Sequence, residues 1–105
     1  MKIQFLYFED CPNSKPAFQN LSLALQELEW TPEIERVVIE DDLHAEHYTF
    51  QGSPSIKLNG VDLWEEIRSE YHMGCRVYQT PTGLAGSPTV EMLVKRLREL
   101  SNSKP

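Results

Sequence analysis

Apolar residues along this chain fall into alternating and helical rhythms that divide it into short elements. Ile3 to Phe8 is dense in aromatic and branched side chains and reads as a buried strand. Cys11-Pro12-Asn13-Ser14 is a turn, after which Ala17, Phe18, Leu21, Ala24, Leu25 and Leu28 recur at helical spacing. An amphipathic helix over roughly 15–29 follows, with Ser14 as its N-cap, because Pro16 is tolerated only in a first turn. Thr31-Pro32 ends that helix, and Ile34 to Ile39 reads as a second strand. Asp41 or Asp42 then caps a short helix to about Phe50, closed by Gly52. Ser55 to Leu58, Asn59-Gly60 and Val61 to Trp64 spell a tight hairpin, since both turn residues accept positive φ. Residues 65–86 show no clear period, although Cys75-Arg76-Val77-Tyr78 fits one extra strand. Ser87-Pro88 opens a last helix whose inner face is Val90, Leu93, Val94, Leu97 and Leu100.

The predicted order is β-α-β-α-β-β-α. Two strands joined through a helix should be parallel, and the hairpin completes a four-stranded mixed sheet. With 105 residues the chain makes one domain over residues 1–100, with an insertion at about 65–86 and a polar, flexible tail at 101–105.

Charge narrows the function. Ten Lys and Arg against 16 Asp and Glu give a net charge of −6, which argues against nucleic acid as a partner. No apolar run approaches the ~20 residues of a membrane span, and the first apolar stretch is too short for an export segment. A cytoplasmic protein with no membrane association is expected. Its two cysteines, Cys11 and Cys75, are too few for a disulfide-stapled scaffold or an all-cysteine zinc site, but enough for one redox pair.

The element order and two short motifs resemble the thioredoxin superfamily, and its glutaredoxin-like branch most closely. That family places a redox-active cysteine directly after the first strand, where this chain has Phe8-Glu9-Asp10-Cys11-Pro12-Asn13-Ser14. It also places a cis-proline just before the third strand, packed on the active sulfur, where this chain has Gly52-Ser53-Pro54-Ser55. The resemblance covers nearly the whole chain except the insertion. It implies a thioredoxin-like fold, a nucleophilic Cys11, and a substrate site that includes Pro12, Ser53 and Pro54. The family's usual second cysteine, three after the first, is Ser14 here, a Cys-x-x-Ser pattern like that of monothiol glutaredoxins. Ser14 would hydrogen-bond the thiolate, cap the helix, or both. Pro12-Asn13 differs from the Gly-Phe of those proteins, which speaks against an iron–sulfur role. No cofactor is expected. Glutathione stays open as a co-substrate, because acidic residues precede Cys11 where glutaredoxins tend to carry basic ones.

A helix N-terminus stabilises a thiolate, and Lys15 acts in the same sense, whereas Glu9 and Asp10 oppose a second anion. The strand after Asn59-Gly60 should return toward the end that carries Pro54 and Cys11, so the insertion starts near the site and Cys75 could resolve a mixed disulfide. The expected activity is thiol–disulfide exchange with a small thiol or a protein disulfide as partner. Two alternatives stay open: a binding module in which Cys11, with Cys75 or a low-molecular-weight thiol, captures a soft metal or metalloid without turnover, and a silent interaction domain. His72-Met73-Gly74-Cys75 offers soft ligands that with Cys11 could hold a thiophilic metal. His44 and His47 read as a solvated helix face, Glu65, Glu66 and Glu70 as solvated surface, and Trp30 and Trp64 as packing at element ends. At Gly86-Ser87-Pro88 the resemblance implies a helix start that helps bind a substrate carboxylate. Neither substrate identity nor oligomeric state is written in the sequence.

Overall fold

In chain order the elements are β1 (Lys2–Tyr7), α1 (Ser14–Leu28), β2 (Glu33–Val38), α2 (Asp42–His47), β3 (Ser55–Leu58), β4 (Val61–Asp62), β5 (Tyr78–Thr80), β6 (Gly83–Ala85) and α3 (Val90–Ser101). The computed structural model describes residues 1–66 and 70–102. It is a mixed α/β fold with three helices and a four-stranded mixed sheet in the order β2-β1-β3-β4, while β5 and β6 pair separately.

The sheet separates two apolar layers because β1 alternates its side chains. Ile3 and Phe5 point to one face, where they meet Ile56 and Leu58 of β3, Leu21 and Leu25 of α1, and Leu93 and Leu97 of α3. Leu6 belongs to the other face, with Val37, Ile39, Ala45 of α2 and Phe50. Each such Leu, Ile or Phe, fully buried, contributes about 1.5–3 kcal/mol, so the larger cluster under α1 and α3 dominates stability. Trp30 and Trp64 are partly buried against it.

Register decides where the ends of the strands lie. Tyr7, the last residue of β1, pairs with Val38 of parallel β2, while Leu6 pairs with Ser55, the first residue of antiparallel β3. Asn59 and Gly60 both have positive φ, 51° and 87°, and turn the chain tightly into β4. The chain therefore leaves Asp62 heading back toward the end of the sheet where β1 stops. That end carries Cys11.

Several local expectations are corrected. Residue Asn13, not Ser14, is the N-cap of α1, and its side chain caps nothing; Ser14 is the first helical residue. Thr89, not Ser87, caps α3: its hydroxyl accepts from Met92 N at 3.1 Å, while the Pro88 carbonyl is taken by Asn20 Nδ2 at 2.9 Å. Thr89→Ala should therefore cost about 1 kcal/mol in chemical denaturation, and Ser87→Ala far less. Gly52 does not close α2, which ends at His47 with Thr49 in the left-handed region at φ 48°. The strand foreseen at 75–78 begins only at Tyr78, and β4 stops at Asp62, short of Trp64. Helix α3 also runs through Ser101, into the segment expected as tail, and 103–105 lie outside the described residues, as do 67–69 of the insertion.

Lys57 sits on β3 with 9% of its surface exposed, and its ammonium donates to the Tyr48 carbonyl and the Thr49 hydroxyl at the end of α2. Burial lowers its pKa, with nearby Asp62 and Glu65 acting against that shift. No helix among the described residues is long and apolar enough to cross a membrane.

Candidate functional site

Where β1 ends, the backbone turns before it enters α1. Cys11 N donates to the Phe8 carbonyl at 3.1 Å, closing a turn, and the Cys11 carbonyl accepts from both Ser14 N at 3.3 Å and Ser14 Oγ at 3.0 Å. Ser14 thus fastens the cysteine's backbone. Only 5% of Cys11 is exposed, whereas Pro12 is open and Asn13 half-buried. No acidic residue sits in the first turn of α1 and no side chain caps it, so the helix start keeps its uncompensated positive end beside this turn.

The Ser53–Pro54 loop lies against the same turn. Ser53 Oγ accepts from Phe8 N at 3.3 Å, so the residue that opens the Cys11 turn is bonded to the residue before Pro54. The Ser53–Pro54 peptide is cis. Both residues are buried.

The insertion closes onto this loop. Ser53 N donates to the Gly74 carbonyl at 2.8 Å, and Arg76 N donates to the Ser53 carbonyl at 3.0 Å, making a one-residue parallel bridge between Ser53 and Cys75. Bridged residues present their side chains to the same face, and the next residue presents its own to the opposite one. Cys75 therefore shares the face on which Ser53 touches Phe8, and its side chain is exposed. The two cysteines are not joined in a disulfide. Arg76 turns the other way, into the protein.

Arg76 holds this strap in place. Its guanidinium, 2% exposed, pairs with equally buried Asp62 at 2.9 and 3.1 Å, donates to Ser55 Oγ at 3.1 Å and reaches the Trp64 carbonyl. Burial opposes its charge, but Tyr78 and Asp62 outweigh that and its pKa stays above the usual arginine value. Tyr78 stacks beside it at 5.0 Å and donates its hydroxyl to the Pro54 carbonyl at 2.5 Å. Burial pushes the Tyr78 phenol well above its ordinary range, so it acts as a neutral donor. Gly52, at φ 105°, is needed for contact: a Cβ there would lie 2.9 Å from Arg76 Cβ. A Cβ on Gly86, directly after β6, would fall 2.2 Å from Asn13 Nδ2, so this segment packs on the Asn13 side chain at the N-cap position of α1.

Sequence reading missed the roles of Arg76, Asp62 and Tyr78, and it gave Gly52 and Gly86 other roles than the close packing seen here. The available signal was the alternation Cys75, Arg76, Val77, Tyr78, whose buried members carry polar groups that need partners.

A cleft of about 320 Å³ opens beside the site. It is lined by Glu9 and Asp10, which precede Cys11, by Met73, two before Cys75, and by Glu40, Phe8, Val38 and Ile39, but by neither cysteine itself. A groove of similar size between α1 and α3, lined by Glu27, Val94, Lys95 and Arg98 among others, contains no cysteine or histidine. His44 Nδ1 accepts from Glu40 N at 3.2 Å, and the rings of His44 and His47 each meet Tyr48 edge-on at 5.2 Å. Met73 packs on the α2 side of the sheet. Among the described residues no group of three or more His, Cys, Asp or Glu could hold a metal ion. No family model matches the chain, and no curated protein matches it.

Proposed function

We propose that this chain carries out thiol–disulfide exchange through Cys11, with Cys75 as the resolving thiol, on a thioredoxin-like fold of the glutaredoxin-like branch. The carrying observation is the Ser53–Cys75 bridge, which brings the second cysteine to the loop that is hydrogen-bonded to the Cys11 turn. The sheet order, the cysteine between β1 and α1, and Pro54 directly before β3 support the same reading.

The step is a pair of displacements. Cys11 Sγ, as thiolate, bonds to one sulfur of a disulfide, the disulfide bond breaks, and the departing thiolate takes a proton. Cys75 Sγ, as thiolate, then bonds to Cys11 Sγ and releases the second thiol. The chain's two thiols lose two electrons and two protons, and the partner disulfide becomes two thiols. A small thiol can later reverse the change.

Mass spectrometry of the reduced chain treated with a small disulfide tests this. The wild type should end as an intramolecular Cys11–Cys75 disulfide, two mass units below the dithiol. Cys75→Ser should instead stop at a stable mixed disulfide on Cys11, and Cys11→Ser should react slowly at Cys75 alone. A wild type that accumulates only mixed disulfides would remove Cys75 from the mechanism. One that does not react at Cys11 would end the proposal.

A further inference from the structure

The cleft beside Cys11 carries charge that exchange chemistry alone does not need. Glu9 and Asp10 directly precede the cysteine in the chain, and Glu40, beyond the end of β2, lines the same cleft. None of the three is engaged in a salt bridge among the described residues. Lys15 is exposed in the first turn of α1, and His44 Nδ1 already accepts from the Glu40 backbone. Phe8, Val38, Ile39 and Met73 supply its apolar lining. The cleft thus combines an apolar lining with three carboxylates, two of them on the residues directly before Cys11, and includes Met73, two before Cys75.

Size is limited as well. An extended peptide docks by pairing its backbone with free N–H and C=O groups. At Ser53 both groups are already taken, by Gly74 and Arg76, and the segment directly after β6 packs on Asn13. The chain's own strap fills the edge that a polypeptide would use.

From these observations we infer that the site selects small disulfides bearing a cationic arm. The arm lies in the cleft against Glu9, Asp10 and Glu40 while Cys11 attacks the adjoining sulfur. This rests on the exchange reading above and specifies its substrate class. The oxidant is the small disulfide itself: its S–S bond breaks as the Cys11 bond forms, one aminothiol leaves at that step, and Cys75 expels the other.

Three disulfides separate charge from size. Cystamine carries an ammonium on each arm, bis(2-hydroxyethyl) disulfide is neutral and of similar size, and glutathione disulfide is bulky and anionic. Each rate of Cys11 modification is normalised to the rate of the uncharged thiol N-acetylcysteine amide with the same reagent, which removes intrinsic reactivity. At low ionic strength the order should be cystamine, then the neutral disulfide, then glutathione disulfide, with roughly tenfold between first and last from several partly screened charges. In about 0.5 M salt that spread should shrink several-fold. Glu9→Gln/Asp10→Asn should narrow it by about threefold or more at low salt, since two of three carboxylates are gone. Equal normalised rates for cystamine and the neutral disulfide, or a spread unaltered in the double variant, would overturn the inference while leaving exchange intact. Failure of all three reagents to modify Cys11 would overturn both.

Discussion

Arg76→Met should lower the unfolding free energy by about 3–5 kcal/mol, one of the largest losses open to a single substitution in this chain. Methionine keeps most of the volume and removes the charge. Asp62 would then remain 2% exposed with its guanidinium partner gone, keeping the Trp64 N–H at 2.8 Å and the neighbouring Lys57 across the strand pair. An unpaired buried carboxylate costs far more than the intact pair contributes, because desolvation is no longer offset. Urea denaturation measures the loss directly, and a midpoint lower by about 2 M is expected for a domain of this size. The double variant Arg76→Met/Asp62→Leu separates the two terms. Removing both charges should recover most of the stability, as apolar replacements of buried pairs commonly do. A loss near zero in the single variant, or no recovery in the double, would mean that the pair is not what anchors the strap.

The same substitution should also reach the chemistry. Arg76 N closes the Ser53–Cys75 bridge, so loosening its side chain weakens the hold on Cys75, the proposed resolving thiol. Formation of the Cys11–Cys75 disulfide should slow, while the first attack by Cys11, whose turn is fixed by Phe8 and Ser14, should change little. The double variant restores stability without restoring the side-chain anchor. It therefore shows whether stability or placement limits the second step.

Much of the frame is legible in the sequence because it follows from local periodicity. Ile3, Phe5 and Leu6 announce β1 by their density, Asn59-Gly60 announces the hairpin, and the helical spacing of Leu93, Val94 and Leu97 announces the buried face of α3. The caps were misread for a physical reason. Ser-Pro is a common helix opening, but a side chain two residues later, on Thr89, can reach Met92 N, and Pro88 is held outside the helix by Asn20. Likewise Ser14 has the composition of a cap, yet its hydroxyl turns back to the Cys11 carbonyl, so the preceding residue takes the capping position.

The site was half legible. Cys11 and Pro54 are marked by their place in the element order, and Cys75 by being the remaining thiol. Nothing local marks Arg76 as a core residue: a lone arginine in an irregular segment ordinarily snorkels to solvent. Its burial depends on Asp62, 14 residues earlier at the end of β4, and on a one-residue bridge to a loop rather than on a strand ladder. Such a bridge has no period. The insertion could be placed near Cys11 from the direction of the hairpin, but its grip on Ser53 could not be read without coordinates.

Gly52→Ala tests that grip from the opposite side and should cost about 2–4 kcal/mol, from two separable sources. Its φ of 105° is one that an L side chain rarely adopts, and the added Cβ would stand 2.9 Å from Arg76 Cβ and 3.2 Å from Arg76 Cα. The second contact is backbone, so relief requires the strap to move, not merely a side chain to rotate. Gly60→Ala supplies the comparison. At φ 87° it meets a similar conformational penalty, but nothing lies within 4 Å of its Cβ, so it should cost only about 1–2 kcal/mol. The excess in Gly52→Ala measures the close approach of the Pro54 loop and the strap. That excess should be accompanied by slower closure of the Cys11–Cys75 disulfide, because the residue displaced adjoins Ser53, whereas Gly60→Ala should close it at the wild-type rate. Equal costs for the two alanines would show that the strap yields freely. Cys75 would then be carried by a loose segment, and the Ser53 bridge could not be what presents it to Cys11.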